Sequence, residues 1–286
     1  MENIIRFRHA VNSGDVIATL AGIRKVCLST GKKAIIYQQI DMPGNYYPGA
    51  THPIKDDSGA MVTMNRKTFE MLKPLVEAQT YIESFEEFTG QDIDVDLNKF
   101  RGEVSVNMPY GPIQNWVACC FPDMQADLTQ QWIHLVPTNA SEVRFTGVVP
   151  FTDTKGRVII NFTDRYRSDG IHYFFLKKYE KKLVFAGTKD EHRNFTAKWN
   201  LDISYLHVEN FLQLAIAIKH AAFLLGNQSM CWNIAEAMKS PRIVEYCPWA
   251  PNCFAGIGKD SLGFFHQGGV EYAVDYLYNK YIQDAK

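Results

Sequence analysis

Apolar and polar positions over the first forty residues follow the pattern of a strand, a helix and a second strand. The apolar run at residues 3–7 predicts a strand, and residues from Gly14 onward carry apolar side chains at helical spacing. Gly31 is typical of a helix C-terminus, and residues 33–38 predict the next strand. This order within so few residues predicts a parallel βαβ unit with a right-handed crossover.

The same alternation returns after residue 141 and continues to the end of the chain. The predicted strands are 158–162, 183–186, 202–206, 222–225 and 242–246. The predicted helices are 171–179, 193–198, 209–220, 230–239 and 270–282. Strands that alternate with helices in this way predict a doubly wound α/β domain with a parallel sheet.

The middle of the chain, residues 41–138, is rich in proline, glycine and aromatic residues and less regular. Helices are predicted at 66–77 and 123–132. The acidic stretch 83–96 favours a solvated face over a metal site, because spacing alone does not show that carboxylates converge. We therefore divide the chain into a first Rossmann-like domain, 1–148, and a second, 149–286. The pattern leaves open whether the final helix packs back on the first domain.

Composition agrees with an ordinary globular protein. A length of 286 residues suits two domains, and the chain is 46% hydrophobic and 21% charged. The formal net charge of -1 gives no overall attraction to nucleic acid or anionic lipid. No signal peptide and no membrane span are predicted, and the six scattered cysteines suit reduced thiols. These features predict a cytoplasmic protein.

Three loops carry polar residues where ligands of parallel sheets bind, beyond the carboxyl ends of strands. They are residues 8–15, 163–168 and 226–229. In the third, Gly226 allows a tight turn and Ser229 is a good N-cap for a helix from Met230. The loop is either a plain capped turn or a phosphate site at a helix N-terminus. The second loop contains Arg165 and Arg167. These arginines either bind a diphosphate or only make the surface soluble.

Asp15, in the first loop, opens the first predicted helix. Its carboxylate either complements the helix dipole or acts as a base at the mouth of a cleft between the domains.

Three segments resemble the heptosyltransferase-like proteins of glycosyltransferase family 9. Residues 13–26 (SGDVIATLAGIRKV) are similar to the family's "LGDV…LPAL" opening. Residues 182–195 (KLVFAGTKDEHRNF) are similar to a strand of the second domain that ends in a glycine loop. Residues 206–246 are similar to the stretch that contains "IGNDSGPMHLAAALG". The order and separation of the segments agree with the family.

This resemblance implies a GT-B-like α/β fold, in which two Rossmann-like domains face each other across a cleft. It also implies metal-independent transfer from a nucleotide-sugar substrate, without a cofactor. By position, Asp15 matches the general base. The donor or its phosphates would be bound by Ser13, Gly14, Arg165, Arg167, Gly226, Asn227, Gln228 and Ser229.

The sequence departs from the family at 227–232 (NQSMCW), where the family has Asp-Ser-Gly-Pro-Met-His. Trp232 in this run could stack on a base or a sugar, or simply pack. The leading hypothesis is a glycosyltransferase that moves a sugar to an acceptor hydroxyl. The alternatives are a degenerate GT-B module that binds a nucleotide or glycan without catalysis, and a sugar-nucleotide epimerase or hydrolase. The acceptor is left open among a glycan, a lipid-linked sugar and a nucleic-acid base.

Overall fold

A computed structural model describes residues 3–44, 52–102, 111–135, 153–250, 252–256 and 258–284. The chain divides into two compact units. One comprises Met1–Leu135 and Asn210–Leu212, and the other comprises Val136–Glu209 and Gln213–Lys286. Within the described ranges, each unit contains a parallel β-sheet.

The first unit has a sheet with the strand order β3-β2-β1-β4. Its strands are β1 (Ile4–His9), β2 (Lys33–Gln38), β3 (Ile82–Glu87) and β4 (Val95–Asp96). Its helices are α1 (Ser13–Thr30), α2 (Arg66–Glu77), α3 (Lys99–Gly102) and α4 (Ile113–Cys120). Strands β1 and β2 pair in parallel on either side of α1 in the sequence, so the predicted βαβ unit is confirmed.

Helix α1 forms because its apolar positions share one face, and it ends at a glycine that adopts a left-handed conformation. Val16, Leu20, Ile23 and Cys27 are buried at intervals of three and four residues. Gly31 then adopts a φ of 69°, a left-handed conformation that glycine accepts without steric cost. The chain can therefore leave the helix sharply and enter β2.

The second unit has six parallel strands in the order β10-β9-β8-β5-β6-β7. Its strands are β5 (Val158–Asn161), β6 (Leu183–Ala186), β7 (Ser204–Leu206), β8 (Phe223–Asn227), β9 (Arg242–Glu245) and β10 (Ser261–Phe264). Its α-helices are α5 (Lys189–Trp199), α6 (Phe211–His220, whose first two residues group with the first unit), α7 (Met230–Ala237) and α8 (Gln267–Tyr278). Counted from β5 as the first strand, the order is 3-2-1-4-5-6, that of a dinucleotide-binding Rossmann fold.

An aromatic-rich core supports this second sheet. Phe162 stacks on Phe195 with ring centroids 5.0 Å apart, and Tyr173 packs against both rings. The apolar stripe of α8, which includes Val270 and Val274, packs into the same core. Helix α8 thus contributes to the core of the second unit.

The irregular parts of the sequence account for the wrong and missing elements. The helix predicted at 123–132 is wrong, since only Pro122–Met124 form a 3-10 turn. Asp127 there accepts hydrogen bonds from the Thr129 backbone N–H and hydroxyl, which favours a turn over a helix. The sequence prediction missed the helices α3 and α4 and the strands β3, β4 and β10. Strand β10 is only four residues long and contains Gly263, so its pattern is weak.

Other sequence features have plain structural settings. The acidic stretch includes β3, an outer strand, where Glu83 and Glu87 form ion pairs with Lys33 and Arg66. All six cysteines carry free thiols, and four of them are buried. Among the helices that the structure describes, none combines the length and apolar character needed to cross a membrane.

Candidate functional site

The sheet of the second unit changes its direction of strand addition between β5 and β8. Asn161 at the end of β5 lies beside Gly226 of β8. The segments that follow these two strands are the β5 loop (Thr163–Ser168) and the strand end Asn227–Ser229. Ligands of open parallel sheets bind at such a switch point, outside the carboxyl ends of the strands. Two of the three predicted loops therefore meet at the position that the topology favours.

Gly226 lies inside β8, which corrects the prediction of a tight turn at this residue. A Cβ atom at Gly226 would stand 2.4 Å from the carbonyl oxygen of Asn161. The neighbouring strand, and not a turn, requires the glycine. Gly226 thereby allows β5 and β8 to approach closely at the switch point.

The Asn227 side chain is fully buried and binds the β5 loop. Its Oδ1 accepts a hydrogen bond from the Thr163 backbone N–H at 3.1 Å. Its Nδ2 donates to the carbonyl oxygens of Thr163 and Arg165, at 3.1 and 2.6 Å. The side-chain amide of Asn227 thus forms its hydrogen bonds with the β5 loop.

The next two side chains bind neighbouring segments in the same way. Gln228 accepts a hydrogen bond from the Cys247 backbone N–H at 2.7 Å and donates to the Ala250 carbonyl at 2.8 Å. Both partners belong to the β9 loop, residues 246–250. Ser229 donates its hydroxyl proton to Asn161 Oδ1 at 2.6 Å. These side chains fix the strand ends, which leaves backbone groups as the ligand donors at this position.

Helix α7 begins at the switch point and supplies such backbone groups. Ser229 caps the helix by accepting from the Trp232 backbone N–H at 3.4 Å. The amides of Met230 and Cys231 have no acceptor within the helix, and the dipole favours an anion there. The Trp232 side chain is only 2% exposed, so it packs in the interior.

The two arginines of the β5 loop have different settings. Arg167 donates from Nε to Oε2 of the buried Glu245 at 3.1 Å, and its guanidinium lies 4.6 Å from the Phe162 ring centroid. Arg165 lies over the ring of Tyr166, and its buried Nε has no hydrogen-bond partner. Arg167 therefore supports the loop, whereas Arg165 is the arginine with donor capacity to spare.

Glu245 is a residue that the sequence reasoning missed. Its carboxylate is fully buried and also accepts from the Ser168 backbone N–H and the Tyr173 hydroxyl. Burial, together with the neighbouring Glu245 charge, raises the pKa of Tyr173 well above its ordinary value, so this hydroxyl stays protonated as a donor. The sequence feature that could have identified Glu245 is its position, since it is a carboxylate that ends an apolar strand at the edge of the sheet where ligands bind.

In the first unit the sheet changes direction between β1 and β4. The first predicted loop follows β1, and Asp15 lies in the first turn of α1 with its side chain 7% exposed. Its Oδ2 lies 2.5 Å from a terminal guanidinium nitrogen of Arg101 in α3. Ser13 and Gly14 are half-buried residues at the start of the same helix. The sequence reasoning missed Arg101, which lies in the irregular middle of the chain.

His9, at the end of β1, does not serve as an acid or base at neutral pH. Its ring is fully buried, and its Nε2 lies 2.9 Å from the Thr19 hydroxyl. Burial lowers the pKa of His9 to about 3, against a small opposing effect of Asp96. Asp15 thus stays the acid–base candidate that the sequence predicts at this edge.

No protein-family model matches the chain, and no curated protein sequence matches it. The chain does match solved structures of other proteins. The Escherichia coli ADP-heptose lipopolysaccharide heptosyltransferase II aligns over 100% of both chains, with a TM-score of 0.57 and 12% identity. The E. coli heptosyltransferase WaaC with ADP aligns over 98% of this chain and 99% of its own, with a TM-score of 0.55 and 9% identity.

A glycosyltransferase of family 9 from Veillonella parvula aligns over 97% of each chain, with a TM-score of 0.53 and 11% identity. The chain thus has the α/β fold of the GT-B glycosyltransferases. The predicted fold class and the predicted resemblance to heptosyltransferase-like proteins are confirmed at the level of the fold.

Proposed function

We propose that the protein is a glycosyltransferase that takes a sugar from a nucleotide-diphosphate donor and transfers it to an acceptor hydroxyl. One observation carries the proposal. The β5 loop and the N-terminus of α7 meet at the switch point of a sheet with the strand order of nucleotide-binding folds. Two similar structures, both of the E. coli heptosyltransferase WaaC, are complexes with ADP and with ADP-2-deoxy-2-fluoro heptose, which supports a nucleotide donor.

In this proposal the donor diphosphate binds the second unit through fixed backbone groups and one arginine side chain. The amides of the first turn of α7 and the helix dipole stabilise the phosphate charge. The Arg165 guanidinium adds charge-assisted hydrogen bonds. As the bond between sugar and diphosphate breaks, negative charge grows on the leaving diphosphate, and the same groups stabilise it. No metal ion is needed for this step.

The acceptor hydroxyl loses its proton as it attacks the sugar carbon, and we assign the role of base to Asp15. A carboxylate within hydrogen-bond reach of a hydroxyl can accept that proton. Arg101 binds Oδ2 of Asp15, which leaves Oδ1 for the hydroxyl. Ser13 and Gly14 start the same helix, and their backbone groups are proposed to contact the donor. The leaving group carries away the electron pair of the broken bond.

The first experiment is a thermal-shift screen of the full chain against nucleoside diphosphates and nucleotide sugars. A ligand at one hundred times its Kd stabilises the folded state by about 2.7 kcal/mol, which is a readily measured shift in Tm. We expect one base to be preferred. A chain whose Tm stays constant with every nucleotide would contradict the proposal.

Arg165→Ala is expected to weaken binding of the preferred nucleotide by about 1.5–3 kcal/mol, because a charge-assisted contact to phosphate is lost. Calorimetric titration measures the Kd. Arg193→Ala is the matched control, since Arg193 is an exposed arginine of the same unit that pairs with Asp190. Equal affinities in the two variants would remove Arg165 from the site.

A second candidate is a nucleotide-binding module without catalysis. The ion pair between Asp15 and Arg101 favours it, because the guanidinium already occupies one oxygen of this carboxylate. Such a module would pass the thermal-shift screen and release no nucleoside diphosphate from a nucleotide sugar in the presence of candidate acceptors.

A further inference from the structure

Trp249 is the exposed tryptophan of this chain. The sequence contains five tryptophans, and the other four are at most 4% exposed, whereas Trp249 is 52% exposed. It lies in the β9 loop, next to the strand end that begins the candidate phosphate site. A large indole exposed at the ligand edge of a Rossmann-like sheet needs an explanation beyond packing.

The indole of Trp249 faces a second aromatic ring from the other side of the switch point. The ring centroids of Trp249 and Tyr166 are 5.5 Å apart, and the ring planes are inclined by 34°. The guanidinium of Arg165 lies 5.3 Å from the centroid of Tyr166. Two aromatic rings and a cation thus form one cluster, which we name the aromatic platform (Arg165, Tyr166 and Trp249).

Buried side chains position both loops that carry the platform. Asn227 and Glu245 bind the β5 loop on either side of Tyr166, through the backbone of Arg165 and of Ser168. Gln228 binds the β9 loop on either side of Trp249, through Cys247 and Ala250. Tyr166 itself has a φ of 55°, a conformation that is uncommon for an aromatic residue. The platform is therefore a fixed feature, built into the ends of three adjacent strands.

We propose that the aromatic platform stacks on a ring of the bound nucleotide sugar. The inference rests on the proposed function, since it adds a ring subsite beside the phosphate site at α7. Aromatic side chains bind bases through π stacking, and a nearby arginine adds a cation–π contribution. A sugar ring can also lie on an indole, through the C–H bonds of one of its faces. Base and sugar ring share this chemistry, and the experiment separates them.

The test compares ligands with and without a ring. Trp249→Ala is titrated with ADP, UDP and GDP, with their nucleotide sugars, and with inorganic pyrophosphate. We expect a loss of about tenfold in affinity for the ring-bearing ligands, in the range measured for stacking, and none for pyrophosphate. Trp249→Phe keeps a ring and should restore most of the affinity. Tyr272→Ala removes a 71% exposed aromatic residue of α8 and is the control.

Fluorescence gives an independent readout, because acrylamide quenches exposed tryptophans most strongly. A nucleotide that covers Trp249 should protect the wild-type emission from acrylamide, whereas pyrophosphate should not. The same protection should be absent from Trp249→Phe, in which the four remaining tryptophans are buried.

Each outcome separates the platform from the proposed function. If nucleoside diphosphates already lose affinity in Trp249→Ala, the base is the stacked ring. If only the nucleotide sugars lose affinity in this variant, the sugar is the stacked ring. If the wild type binds nucleotides and Trp249→Ala binds them equally well, the platform is refuted while the proposed function stands. If the wild type binds no nucleotide, both proposals fall.

Discussion

Asp15→Asn should lower sugar transfer by about 10²–10⁴-fold while the protein stays folded and binds the donor as before. This range is typical of the loss of a positioned acid or base. The substitution keeps the size and shape of the side chain and removes its ability to take a proton. The measurement is product formed per unit of donor-bound protein, with donor affinity determined by calorimetry on the same sample.

Asp15→Asn also breaks the ion pair with Arg101, so a second variant must separate the two effects. Arg101→Met breaks the same pair and leaves the carboxylate in place. Because the carboxylate of Asp15 is retained, we expect this variant to lose less than tenfold in rate. If both variants lose the same large factor, Asp15 acts by positioning α3 and not as the base.

Gly226→Ala should lower the free energy of unfolding by about 3 kcal/mol, near the upper end of the range for overpacked interiors. The added Cβ would lie 2.4 Å from the Asn161 carbonyl oxygen, in the middle of a six-stranded sheet. Strands β5 and β8 would have to separate where the core is fully buried. Urea denaturation measures the change, as a lower midpoint at an unchanged m-value.

Gly170→Ala is the matched control for this substitution. Gly170 is exposed, and a Cβ there meets no atom within 4 Å. Its unfolding free energy should stay within about 0.5 kcal/mol of the wild type, the usual range at the surface. Equal midpoints for the two alanine variants would mean that the sheet tolerates a side chain at Gly226.

Local pattern was enough to predict strands β1 and β2 of the first sheet and all strands of the second sheet except β10. The helix Arg66–Glu77 and the strands Lys33–Gln38 and Leu183–Ala186 have the predicted boundaries. Their periodicity is strong and flanking residues mark their ends. The segment from Asp123 to Trp132 failed because Asp127 competes for backbone hydrogen bonds, an effect that apolar spacing does not reveal.

The position of the candidate site was predictable from the sequence, but the contacts that its side chains make were not. The sequence indicated the loops at Arg165 and Gly226 because both follow apolar strands of a parallel sheet. The partner of Arg167, however, is Glu245, 78 residues away in the sequence. Such a contact depends on strand order, and no local spacing encodes it. The roles of Asn227 and Gln228 escaped prediction for the same reason.

The attachment of the β5 loop to buried side chains has a consequence for local unfolding. The backbone N–H groups of Thr163 and Ser168 donate to Asn227 and Glu245, which are both fully buried. Hydrogen exchange at these two amides then requires the ends of β8 and β9 to open as well. Loop amides usually exchange through small, independent fluctuations. Here the β5 loop and the strand ends that hold it should open as a single cooperative unit.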